Sequence, residues 1–270
     1  LIQIIAEKMT DLGAVIRGDE IQAKICGPDG IGFRDDELAP VIEARHSSRH
    51  AESEQEAKQR EHGSFNRANS LVSGIGVPAR TVKELIVHAA ANPGKLNYGS
   101  SGVGSFLHLG TELFLNTTNV KMNHVPYKGA GPALNDLMGG QIQFVLGSLT
   151  VAGPLTKANR LRGIAVTTAK RWPEFPELPA VSETIPGYEA AVWYGLWGPK
   201  HLPQEIVSLW HKEVTRILGQ PELKPRWMAE GVDTVGSAPG EFLRVIRTDI
   251  AKWTRVADQA NLRSKSQGAN

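Results

Sequence analysis

The chain has 270 residues, 41% of them apolar and 21% charged, with one Cys and a formal charge of +2. That length builds one large or two modest cores, while the lone Cys26 excludes an intrachain disulfide scaffold and the mild, evenly spread charge excludes a nucleic-acid footprint. No apolar run reaches the ~18 residues a membrane span requires, and no charged n-region followed by an apolar stretch opens the chain, so composition leaves the compartment open.

In chain order, residues 1–16 carry Ile4, Ile5, Met9 and Leu12 at helical spacing, an amphipathic pattern that Gly13 ends. Residues 43–68 hold almost nothing that can enter a core and read as a solvated helix or mobile surface segment. Within them His46 and His50 stand at i,i+4 and His62 follows, but no His-Glu-x-x-His arrangement accompanies them, so they read as polar surface and no metal is implied. From Thr81 the signals sharpen. Thr81 and Glu84 have capping-box spacing, Val82, Leu85, Ile86 and Ala89 form one face, and Asn92-Pro93-Gly94 stops the helix.

Strand-length apolar runs follow at 96–98, 122–125, 144–146, 163–166 and 192–197, with helices expected at 105–115 and 132–138 between the first three. Alternation of strands and helices predicts a parallel-rich α/β sheet covered on both faces. The chain then turns helical at 205–218 and 241–257, with a weaker helix between Pro221 and Pro225. Of the tryptophans, Trp193, Trp197, Trp210 and Trp253 read mostly as core, Trp193 being the best candidate for a cleft face.

Two glycine-rich strand-to-helix turns carry the chemistry. In Tyr98-Gly99-Ser100-Ser101-Gly102-Val103-Gly104-Ser105 the glycines let backbone N–H groups converge at a helix start, which favours an anion, and the serines add neutral donors. No Walker lysine follows and the dinucleotide glycine spacing is absent, so anion binding and a merely tight turn both stay open. The second turn, Tyr127-Lys128-Gly129-Ala130-Gly131, again exposes donors at a helix start, and two such turns in one α/β unit suggest a crevice. Lys128 can pair with an anion or lie on the surface beside a loop whose backbone binds. His108 can be a ligand donor or a buried histidine satisfied by backbone. Tyr127 reads as packing. A nucleophilic Ser101 or Ser105 would need a base and an orienting group, and no Gly-x-Ser-x-Gly elbow is present.

The segments ANPGKLNYGSSGVGSFLHL, HVPYKGAGPALNDLMGGQI, LRGIAVTTAKRWPEFPELPAVSE and PGYEAAVWYGLWGP resemble, in order and spacing, the substrate-binding proteins of tripartite tricarboxylate transporters, the Bug receptors, over about residues 76–263. The resemblance implies a type II periplasmic-binding-protein fold, two α/β lobes with a ligand cleft between them. Residues 1–74 and 199–270 would form the first lobe and 75–198 the second. It further implies that Ser100, Ser101, Gly102, Gly104 and Ser105 cradle a carboxylate, with His108 one turn into the following helix, and that Lys128, Gly129, Ala130 and Gly131 supply donors from a neighbouring helix start. Ser148 stands where many members place an Asp or another ligand-selecting group, and Gly147-Ser148 argues against a ligand ammonium. Trp193 and Tyr194 would form cleft wall.

Members open with a strand and a Pro- and Gly-rich loop. Here LIQIIAEKMT resembles the helix that follows that loop, so the first lobe is expected to lack them, and residues 17–74 depart from the family pattern. The function implied is a periplasmic receptor, not an enzyme, which captures a small mono-, di- or tricarboxylate, an aromatic acid included, for membrane transporter subunits without a cofactor and without spanning the membrane. The alternatives are a serine-dependent acyl-transfer enzyme using the Ser100–Ser105 loop and the effector-sensing domain of a regulator.

Overall fold

A computed structural model describes residues 65–196, 203–229 and 231–262. Expectations about 1–64, which include the first helix, Cys26, His46, His50 and His62, and that for Trp197, lie outside these residues.

Two short strands begin the described chain: β1 (Phe65–Arg67) and β2 (Asn69–Ser73). They are separated by Ala68 alone, which is 0% exposed, so the end of the polar run 43–68 is strand and core rather than solvated surface. Its tethers explain this. The Ala68 amide donates to the Gly231 carbonyl at 2.8 Å and its carbonyl accepts from the Leu149 amide at 3.0 Å, which leaves no backbone group needing water.

The next elements are α1 (Val82–Ala91), β3 (Asn97–Ser100), α2 (Phe106–Thr118), β4 (Asn123–Pro126), α3 (Ala130–Met138), β5 (Phe144–Ser148), α4 (Leu149–Lys157) and β6 (Arg162–Val166). The α1 cap departs from a strict capping box. Thr81 accepts from the Glu84 amide at 3.1 Å, but the Glu84 carboxylate accepts from Arg80, one residue before the cap, at 2.7 Å. Helix α4 was not legible in the sequence, because Pro154 stands inside it, where a missing donor normally argues against a helix.

These strands form a five-stranded sheet in the order β4-β3-β5-β2-β6. Strand β3 is parallel to β4 and β5, whereas β2 is antiparallel to both β5 and β6, so β3 to β6 share one direction and β2 opposes them. The sheet is thus parallel-rich but not uniformly parallel. Strand β2 also lies ahead of the boundary drawn at residue 75 and is nevertheless interior to this sheet. Side chains alternate across it. Leu71, Tyr98, Phe144 and Leu146 join α1 and α2 in one core cluster, while Val72 and Val145 join α3 and α4 in another.

A second sheet, β7-β1-β8, is antiparallel and uses β7 (Val192–Tyr194) and β8 (Val232–Thr234). Helices α5 (Gln204–Leu218), α6 (Lys224–Ala229) and α7 (Pro239–Gln259) complete the chain. Val214, Leu218, Trp227 and Val232 form the small core here. Trp227, 1% exposed, is the most buried tryptophan among the described residues, whereas Trp193, Trp210 and Trp253 are half-buried. On α7 the buried positions are Val245, Ile246 and Val256, while Ile250 is 39% exposed.

Candidate functional site

Parallel direction places the C-terminal ends of β3, β4 and β5 on one edge of the large sheet, and each is followed by a helix start. Antiparallel β2 brings its N-terminal end to the same edge, Asn69 pairing with Ser148. This edge collects all the expected site residues of the large sheet, with three helix N-termini whose dipoles and first-turn amides favour negative charge.

The β3–α2 turn is largely occupied with itself. Ser100 is 0% exposed. Its hydroxyl lies 2.6 Å from His124 Nε2, donates to the Gly102 carbonyl at 2.9 Å and accepts from the Gly102 amide at 3.2 Å. One hydroxyl proton satisfies all three contacts if His124 carries its proton on Nε2. The Gly104 amide donates to His108 Nδ1 at 3.0 Å, and Ser105 caps α2 by accepting from the His108 amide at 3.3 Å. Gly102, at φ 136°, holds a backbone conformation that a side chain would disfavour. The remaining amides, those of Ser101 and Val103 with the first-turn donors of Phe106 and Leu107, have no partner among the described residues.

Under this turn lies a stack of rings. His108, 2% exposed, is parallel to His124 at 3.7 Å between centroids, and Tyr98 stacks on His124 at 5.0 Å. Tyr98 donates to the Glu112 carboxylate, which also faces His108 Nε2 at 3.8 Å. Burial, and secondarily the neighbouring His124, push the His108 pKa down to about 4. Burial also lowers His124, and burial with the Glu112 bond raises Tyr98. Both histidines are therefore neutral at pH 7, in keeping with an Nδ1 that accepts from Gly104. Of the two readings of His108, its burial and the bond from the Gly104 amide to its Nδ1 are the features of a backbone-satisfied histidine.

The β4–α3 turn is open. Gly129, at φ 110°, precedes α3 as its cap residue, and no side chain caps the helix. Pro132 has no N–H, so the amides of Ala130 and Gly131 are the donors this start presents. Tyr127 donates to Asp136 at 2.8 Å and packs beneath the turn, its pKa pushed up to about 12 by burial and that bond. Lys128 is exposed. The two turns touch, since a Cβ on Gly102 would lie 3.8 Å from the Tyr127 carbonyl oxygen.

At the end of β5, Ser148 precedes α4 and its buried Oγ has no hydrogen-bond partner among the described residues. Tyr194 reaches this end, accepting from Arg67 at 3.3 Å. Trp193 points away from it. Its indole donates to Asp249 at 2.6 Å and meets Phe242 edge-on at 5.1 Å, which fastens β7 to α7. The sequence reading gave no role to His124, Arg67 or Thr150. Only His124 had a usable signal, since the register Tyr98↔His124 sets it beside Ser100 on a neighbouring strand. Among the described residues no cluster of three His, Cys, Asp or Glu side chains could hold a metal, and no helix is long and apolar enough to cross a membrane.

The tripartite tricarboxylate transporter family receptor profile, TctC, matches residues 64–262. The chain belongs to this family. A Pseudomonas sp. relative, the UPF0065 protein of the tcbD–tcbE intergenic region, is 32% identical over 195 residues, 70% of this chain and 58% of the relative. Protein BugT of Bordetella pertussis is 27% identical over 196 residues, 72% of this chain and 60% of its own. The chain thus spans well under two thirds of the length of these curated TctC relatives. An R. palustris protein solved with adipate shares 37% identity at a TM-score of 0.65, covering 73% of this chain and 66% of that one. The periplasmic binding protein BugD shares 25% at 0.63, covering 73% and 67%. The fold is that of the periplasmic binding proteins, and the TctC family and its structural neighbours are solute-binding receptors.

Proposed function

We propose that this TctC-family chain acts as a periplasmic receptor that binds a small organic carboxylate and presents it to the subunits of a tripartite tricarboxylate-type transporter. What supports the reading is the pair of neighbouring glycine turns at two helix starts, in which the amides of Ser101, Ala130 and Gly131 have no partner among the described residues. Such donors stabilise a carboxylate through charge-assisted hydrogen bonds without an opposing ammonium, in agreement with a net charge of only +2. A solved relative that binds adipate supports the ligand class. The lobe built on the large sheet would comprise about residues 69–190, the small sheet and α5–α7 belonging to the other, with ligand favouring the closed arrangement.

Serine-dependent acyl transfer is disfavoured by the geometry. Ser105 is engaged as a helix cap, and Ser100, although 2.6 Å from His124, is fully buried. Titration calorimetry at low salt against adipate, malate, citrate and benzoate tests the proposal. A saturable heat with at least one is expected, and none with any of them overturns it. Ser101→Ala separates the classes, because a receptor loses only the ~0.5–3 kcal/mol of one hydrogen bond, whereas an enzyme using that serine loses turnover by orders of magnitude.

A further inference from the structure

Arg67 stands at the end of β1, between Val192 of β7 and Val232 of β8. Its half-buried guanidinium donates from Nε and Nη2 to Thr150 Oγ1 at 3.3 and 3.0 Å, and from Nη1 to the Tyr194 hydroxyl at 3.3 Å. Both acceptors are neutral. Among the described residues no carboxylate pairs with it, although Arg171, Arg216 and Arg244 each face a glutamate. A guanidinium has five N–H groups, so part of its donor fork is unspent, and a partly desolvated cation without a counter-charge gains from an incoming anion.

A second, independent observation falls at the same point. Ser148 Oγ is buried without a partner among the described residues. Ser148 pairs with Asn69, and Arg67 and Thr150 each lie two residues beyond that pair and are in contact, so the orphan hydroxyl and the guanidinium share the end of the β2–β5 ladder. The Leu149 amide is taken by the Ala68 carbonyl, which fixes the turn that holds them. Strand β5 lies between β3 and β2, so at the backbone this cluster lies one to two strand spacings, about 5–10 Å, from the β3–α2 turn, the span of a short aliphatic diacid.

We infer that Arg67, with the hydroxyls of Thr150 and Ser148, forms a second anion subsite that takes the distal carboxylate of the ligand and makes this receptor select dicarboxylates over monocarboxylates. The inference rests on the carboxylate-receptor reading and adds to it a specificity-determining residue. Arg67 is the group that discriminates, while the glycine turns hold the carboxylate common to both ligand types.

The test is titration calorimetry of the protein and of Arg67→Gln with succinate, adipate and suberate, each against butyrate, hexanoate or octanoate of matching length. The protein should bind its preferred diacid about tenfold or more tighter than the matching monoacid, and Arg67→Gln should erase that preference by weakening the diacid alone, with monoacid affinity held within about threefold. Equal binding of diacid and monoacid by the unaltered protein overturns the inference and leaves the receptor reading standing. Absence of binding to any of the six overturns the inference, while the receptor reading then stands or falls with malate, citrate and benzoate. If Arg67→Gln weakens both ligand types alike, or neither, Arg67 only fastens β1 to α4 and the inference falls. Thr150→Val, which removes the hydroxyl that aims the fork, should reduce the same preference by a smaller factor with an unchanged melting temperature, and an unaltered preference there counts against the subsite.

Discussion

The two glycine turns look alike in sequence and differ in what they do with their hydrogen bonds. In the β3–α2 turn, Ser100, Gly102, Gly104, Ser105 and His108 bond to one another or to His124, and the helix start is capped. In the β4–α3 turn, Gly129 supplies only a conformation and α3 starts uncapped. Donor-rich composition thus means two things: the first turn spends most of its donors internally and stiffens into a wall that leaves the Ser101 and Val103 amides over, whereas the second leaves the Ala130 and Gly131 amides at its helix start unspent among the described residues. The difference traces to side chains beneath the turns. The first rests on two histidines, His108 accepting from the Gly104 amide and His124 facing the Ser100 hydroxyl, the second on Tyr127, whose hydroxyl is committed to Asp136.

The contrast can be broken most forcefully at Gly129. A Cβ there would meet nothing within 4 Å, so Gly129→Ala acts through backbone strain alone, about 1–3 kcal/mol, and should weaken carboxylate binding about tenfold or more by re-aiming the Ala130 and Gly131 amides. Calorimetry that finds unchanged affinity in this variant would reverse the assignment of the open turn. Ser105→Ala should do the opposite, costing about 1 kcal/mol in denaturant-measured stability through the lost cap while affinity stays within about threefold. A larger loss of binding than of stability would mean that the first turn contacts ligand through that hydroxyl.

Acid titration probes the wall from beneath. The His108 pKa is lowered from its ordinary 6.5 to about 4 in the folded protein, so between those values the unfolded chain binds more protons than the native one. The contribution is complete above pH 6.5 and is lost as pH falls towards 4. Equilibrium unfolding across that window should show stability falling with pH, and His108→Gln should flatten the slope. Smallest of all should be Lys128→Ala. An exposed ammonium is screened by solvent and salt, so affinity should change by less than about twofold at physiological ionic strength. A tenfold loss would give the open turn a charged ligand group in addition to its amides.

The strand-to-helix succession was legible because β3, β4, β5 and β6 are short apolar runs bounded by glycine, and α2 and α3 start at the glycine-serine signals that predict them. Strand β2 was not, because Asn69-Ser70 at its start is polar and yet buried, at 2% and 1% exposure. Burial there is enforced by pairing on both edges, which local sequence does not encode. The same limit governs the site. The turns could be named from their glycines, but which donors remain unspent depends on His124, a strand away, and on Arg67, whose partners are 83 and 127 residues distant in sequence. Charge without a counter-charge is a property of a neighbourhood, and a neighbourhood is fixed only when the strands have been ordered.

Ala68, the single residue between the two sheets, is held at both ends, its amide by Gly231 and its carbonyl by Leu149. A linker with no slack permits torsion and forbids sliding, so at this crossing any swing of the small sheet against the large one turns about a fixed pivot. Arg67 is the residue next to that pivot, on the short arm of the lever. A shift of its guanidinium would act on that crossing more directly than a shift anywhere farther along the small sheet.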